Sequence, residues 1–132
     1  MLRRFAVPAA LACALLAVVS AAPSASSARL HVTLVRSFPA KDTVLAESPA
    51  EVRLWFSGET RPGTTTLQVL DADAKPVTVH MDAPAVDPQD AKVQFAKLHG
   101  PLANGRYRVS WATVAADGES AKGEIAFSVR TR

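Results

Sequence analysis

The sequence predicts an all-β protein: a small antiparallel β-sandwich of about seven short strands, immunoglobulin-like in type. Three observations predict it. Apolar and polar residues alternate with period two in several segments, most clearly at 106–111 and 124–130. Turn-forming residues recur between those segments, at Ser48-Pro49, Pro62-Gly63, Asp73 with Pro76, Asn104-Gly105 and Asp117-Gly118. After Val19 no segment sustains the 3.6-residue periodicity of a helix.

The chain divides in two before any strand begins. Arg3-Arg4 followed by an apolar run over 5–19 and small residues over 20–28 reads as a secretory signal, assigned to 1–28. The run is too short for a good spanning helix and lacks a stop-transfer flank. Cleavage after Ala22 and after Ala28 both satisfy the small-residue rule. Cys13, the single cysteine, lies inside the apolar run, so no lipid anchor is expected. Residues 29–132 then form one domain, without a cysteine, held together by its core alone.

Within that domain the first strand is expected at 31–37, broken by Pro39, which has no N–H for a ladder. Segment 51–57 (EVRLWFS) alternates, with Val52, Leu54 and Phe56 inward and Trp55 on the outer face. Thr, Leu and Val favour a strand over 65–71. A further strand is expected over 77–81, then a long polar, proline-rich loop over 82–90. Segment 92–98 is expected to turn Val93 and Phe95 inward. The closing pair is the clearest: Tyr107, Val109 and Trp111, then Ile125, Phe127 and Val129, give two apolar faces joined by the polar loop Asp117-Gly118-Glu119-Ser120. Rigid strands presenting a polar loop are a common way to build a site.

Charge excludes one class of partner. Removing Arg3 and Arg4 lowers the formal net charge from +3 to about +1, and the remaining basic residues are scattered singly, so no nucleic-acid footprint is present. Catalysis finds no constellation either. The domain has no cysteine nucleophile, no glycine-rich phosphate loop and no His-Glu-x-x-His motif, and Ser37, Ser57 and Ser110 have no evident His and Asp partners. The reading is a binding protein and no enzyme. With no second apolar run, no membrane insertion is expected after processing, and the domain is expected to be a monomer.

Three segments together resemble the CopC-like family of periplasmic copper-resistance proteins. They are His31-Val-Thr-Leu-Val-Arg-Ser37-Phe-Pro39-Ala40 with Leu45, the segment Pro49 to Ser57, and Gly105-x-Tyr107-x-Val109-x-Trp111 with Asp117-Gly118 and Gly123-x-Ile125-x-Phe127-x-Val129. The resemblance implies a Greek-key arrangement of the sandwich, export to the periplasm and copper binding. The family's Cu(II) site takes an N-terminal His, an Asp in the last loop and a His two residues later. His31 matches the first, Asp117 the second, and Glu119 stands where the family has the second His. A carboxylate is a harder ligand than imidazole, so Cu(II) affinity should fall relative to a two-His site. The family's Cu(I) site is methionine-rich; here Met81 is the one methionine of the domain, so that site is expected to be absent.

Each candidate also has a plain structural reading. His31 can be a surface residue at a strand start, and Asp117 can close its own turn before Gly118, a role compatible with ligation. His80-Met81 reads as a strand end in preference to a second metal site, and His99 as a solvated turn residue. If the signal is cut after Ala28, the free amine of Arg29, two amides and the His31 imidazole supply a planar Cu(II) chelate. The favoured function is binding or carrying Cu(II) for copper resistance or homeostasis. The alternative is a metal-free interaction module, accessory to a membrane copper transporter or an exported enzyme.

Overall fold

The computed structural model describes residues 31–132. The expected signal segment and both cleavage positions lie outside the described residues. Nine strands form two sheets: β1 Leu34–Phe38, β2 Thr43–Leu45, β3 Glu51–Phe56, β4 Thr66–Leu70, β5 His80–Met81, β6 Ala85–Asp87, β7 Asp90–His99, β8 Gly105–Val114 and β9 Ser120–Val129. One sheet runs β1-β3-β7-β5, with β6 also on β7; the other runs β2-β9-β8-β4. The expected all-β sandwich is therefore present, with nine strands in place of seven. The additional ones, β2 and β6, have three residues each. β6 lies inside the segment expected to be loop, because Ala85 and Val86 pair with Phe95 and Gln94 of β7. The first strand begins at Leu34, later than expected. One pairing is parallel: β2 against β9.

The closing hairpin is the longest ladder, ten paired positions from Gly105↔Val129 to Val114↔Ser120. Its inward residues Tyr107, Val109, Trp111, Ile125, Phe127 and Val129 are buried and meet Val52, Leu54 and Phe56 of β3. Two aromatic pairs mark the seam. Phe56 meets Trp111 edge-on across the sheets at 5.2 Å, and Tyr107 stacks on Phe127 within one sheet at 5.5 Å. Gly123 faces Trp111 in the ladder, and the indole occupies the space where a side chain would stand.

β7 departs from the expected orientation. Gln94, Ala96 and Leu98 are buried on its inner side, and Phe95 faces outward, half-buried. Phe95 is therefore not part of the shared core. A glutamine inside is affordable because its Nε2 donates to Thr60 Oγ1 at 2.7 Å. Outside, the Arg53 guanidinium lies 4.8 Å from the Phe95 ring, and Arg36 stacks on Trp55 at 3.9 Å. The outer face of this sheet is thus roofed by cations, which is where Trp55 finds its contact. Arg53 also pairs with Glu51 and Asp87. The Asp87 carboxyl is held below its ordinary range, first by the Gln89 N–H and then by Arg53.

Tyr107 ties β8 to the loop before it, its hydroxyl donating to the Ala103 carbonyl at 2.6 Å. Burial, and secondarily the charge of Asp71, raises its pKa above the ordinary 10.0. A raised value favours the neutral phenol in the fold, so this contribution is complete below the unfolded pKa and disappears as pH rises through the folded one. Tyr107→Phe keeps the ring and loses the bond. It is expected to cost about 1 kcal/mol near neutral pH and to flatten the alkaline fall in stability. Urea midpoints measured between about pH 8 and 11 check this; a variant with the wild-type alkaline slope would assign that slope to other groups.

Candidate metal centre

The loop joining β8 to β9 is built by its own backbone. Ala115 N donates to Glu119 O at 2.8 Å, and Gly118 N donates to Ala115 O at 2.9 Å. Gly118 has φ +93°, a conformation that a side chain would strain. Asp117 Oδ1 accepts the Glu119 N–H at 3.0 Å, the turn-closing role its position before glycine foretells. The loop is moored on the segment after β3, where Ala116 N donates to Glu59 O and Arg61 N to Val114 O. The Arg61 side chain lies against Gly118: its Nη2 is 3.3 Å from where a Cβ would be. Its Nη2 also reaches the Ala116 carbonyl at 3.5 Å, so the guanidinium lies along the backbone of the loop.

His31 arrives from the other sheet. Thr33 N donates to Ser57 Oγ, and Ser57 N donates back to Thr33 O, fixing the approach to β1 against the end of β3. From there His31 Nδ1 reaches Glu119 Oε2 at 2.7 Å. The imidazole is 68% exposed and the Glu119 side chain 28%. One nitrogen and one carboxylate oxygen, from opposite ends of the sequence, therefore meet at one edge of the sandwich. Nitrogen and oxygen donors of this kind suit Cu(II) and Zn(II) better than a soft monovalent ion, which thioether and thiolate donors select.

His80, Met81 and His99 lie elsewhere. β5 pairs with the last two residues of β7, His80 opposite His99 and Met81 opposite Leu98. Met81 turns inward and packs on the core, so its sulfur faces away from both imidazoles. His80 and His99 stay on the surface, their rings 5.5 Å apart at 30°. Asp82 Oδ1 lies 2.7 Å from His99 Nε2 and 3.7 Å from His80 Nε2. The sequence predicts His80-Met81 as a strand end rather than a second metal site, and His99 as a solvated turn residue; His99 is instead the exposed last residue of β7. The available signal was the two-residue spacing of His80 and Asp82, which puts both on one face of a strand; the missing one was the β5–β7 register.

Comparison with known proteins agrees with this architecture. The CopC domain model matches residues 34–130. The copper transport protein CutJ of Bacillus subtilis (strain 168) is 28% identical over 99 residues, 75% of this chain but only 18% of that protein's length. Among solved structures, CopC from Methylosinus trichosporium OB3b superposes with a TM-score of 0.70 at 25% identity, covering 77% of this chain and 96% of that one. PcoC, a methionine-rich copper resistance protein from Escherichia coli, gives 0.66 at 26% identity, covering 76% and 99%.

Proposed function

Because the chain belongs to the CopC domain family, we propose that it is an exported copper-binding protein that holds Cu(II) at His31 and the 117–119 loop. In this reading it contributes to copper resistance or homeostasis in the periplasm by binding or carrying the ion, without catalysing a reaction. The observation that carries the proposal is the 2.7 Å contact between His31 Nδ1 and Glu119 Oε2, which places two ligand-type atoms at a separation that one ion can span.

The donor set fits a divalent ion better than a monovalent one. His31 gives a borderline nitrogen; Glu119, and Asp117 if its turn bond is shared, give hard oxygens. Exposure of the imidazole suits an ion that must be passed on. The relation to CutJ supports a membrane copper transporter as the recipient or donor: there a segment like this chain is a minor part of a longer copper transport protein.

Equilibrium dialysis of the exported protein against Cu(II) tests the proposal, with electron paramagnetic resonance to report the ligands. His31→Ala is expected to abolish the signal of the ion held there, Glu119→Ala to weaken binding, and Glu119→His to tighten it, since imidazole is the softer ligand. Intact mass of the exported protein fixes its first residue and decides whether the Arg29 amine belongs to the site. A Cu(II) spectrum and affinity unchanged by His31→Ala would overturn the assignment.

A further inference from the structure

We infer that His80, Asp82 and His99 form a separate binding site for a borderline divalent ion, Cu(II) or Zn(II), at the end of the sandwich away from His31. Three observations on these residues lead there. They are the set of three ligand-type side chains, among the described residues, whose donor atoms all lie within 4.8 Å of one another. The donors are two imidazoles and a carboxylate, a nitrogen-rich set of the kind that holds zinc and copper. One carboxylate oxygen, Asp82 Oδ1, already lies between the two Nε2 atoms, at 2.7 and 3.7 Å. Donor atoms bound at about 2.1 Å around a tetrahedral ion stand about 3.4 Å apart, so rotations within the exposed side chains are enough to close the set.

The backbone under the cluster is fixed. His80 and His99 are direct partners in an antiparallel ladder, and Asp82 N donates to Lys97 O at 2.9 Å. A ladder holds its facing residues closer together than a loop would, so little ordering remains to be done when an ion binds. Met81, the thioether that would draw a soft ion, points the other way into the core. Three protein donors leave further coordination positions open to water or to another molecule's ligand, as at exchangeable rather than closed sites.

Its location separates it from His31. Leu34 pairs with Phe56 at one end of β3, and Glu51 pairs with Lys97 at the other, so the His31 and His99 ends are divided by the length of that strand, about 20 Å for six residues. The inference does not rest on the His31 reading, and either can fail alone.

The experiment titrates the exported protein with Cu(II), and separately with Zn(II), following stoichiometry by equilibrium dialysis and the histidine ring signals by nuclear magnetic resonance. Expected for the wild type are two Cu(II) ions per chain, and Zn(II)-induced shifts at the His80 and His99 rings. His80→Ala and His99→Ala should each reduce the stoichiometry to one and keep the His31-dependent ion. His31→Ala should keep the ion at His80 and His99. The side chains of His80 and His99 are 75% and 52% exposed, so their removal leaves the core intact. Unshifted His80 and His99 rings in the wild type, or undiminished binding of both metals in the His80→Ala/His99→Ala double variant, would overturn the inference. One ion per chain, lost with His99→Ala and indifferent to His31→Ala, would uphold it while removing the His31 site.

Discussion

Phe127→Ala is expected to lower stability by about 3–5 kcal/mol, which for a domain of this size moves the melting midpoint down by about 15–30 °C. Phe127 is 2% exposed and lies near the C-terminal end of β9, which itself lies between β2 and β8. Its ring stacks on Tyr107 at 5.5 Å and its backbone pairs with Thr43 on the other side. Truncation therefore removes a large apolar surface and opens a cavity whose walls are ladder strands. Strands bonded on both edges cannot easily collapse into it, which places the cost toward the upper part of the range. Thermal unfolding by circular dichroism measures it; an unchanged midpoint would remove Phe127 from the list of core-forming residues.

Gly123→Ala should also destabilise, although it adds one methyl group and removes nothing. That methyl would stand 2.8 Å from Trp111 Cζ2, 3.0 Å from Cε2 and 3.1 Å from Nε1. The flat side of an indole cannot give way like the end of a lysine, and this one is held edge-on by Phe56. The expected cost of such overpacking is about 1–3 kcal/mol. A double-mutant cycle isolates the cause. In a Trp111→Leu background the same Gly123→Ala change should cost little, because the clash is gone. Equal costs in the two backgrounds would mean that the glycine serves the backbone and not the indole.

Legibility in the sequence followed the regularity of each strand's alternation. β8 and β9 have ten residues each, enough alternation to show which side faces in, and the structure buries the expected residues. β3 was legible for the same reason. β7 was not, despite its ten residues: Val93 is buried as expected, but Phe95 is only half-buried while Gln94, Ala96 and Leu98 are buried, and the polar Gln94 is tolerated inside because Thr60 accepts its N–H. That partner lies 34 positions away, beyond any local pattern. The two- and three-residue strands β2, β5 and β6 carry no periodicity at all; pairing with a long neighbour defines them. The candidate site divides along the same line. His31 and the 117–119 loop were brought together by the family resemblance, and the contact with Glu119 is the part the structure supplies. The His80, Asp82 and His99 cluster needed the register of a two-residue strand, which no reading of propensity provides.

The parallel pairing of β2 with β9 has a consequence for the order of events in the life of the chain. Thr43, Val44 and Leu45 are hydrogen-bonded partners of Phe127, Ser128 and Val129, across more than eighty positions of sequence. β9, the last strand of the described residues, thus takes a central place in the second sheet, between β2 and β8, rather than an edge. Until β9 is in place, β2 lacks its partner in this sheet and β8 is bonded to β4 alone. Contacts this distant also form slowly. The second sheet of a chain with this topology cannot close until two strands more than eighty positions apart are both available, so its assembly is set by the meeting of distant segments and not by local hairpins.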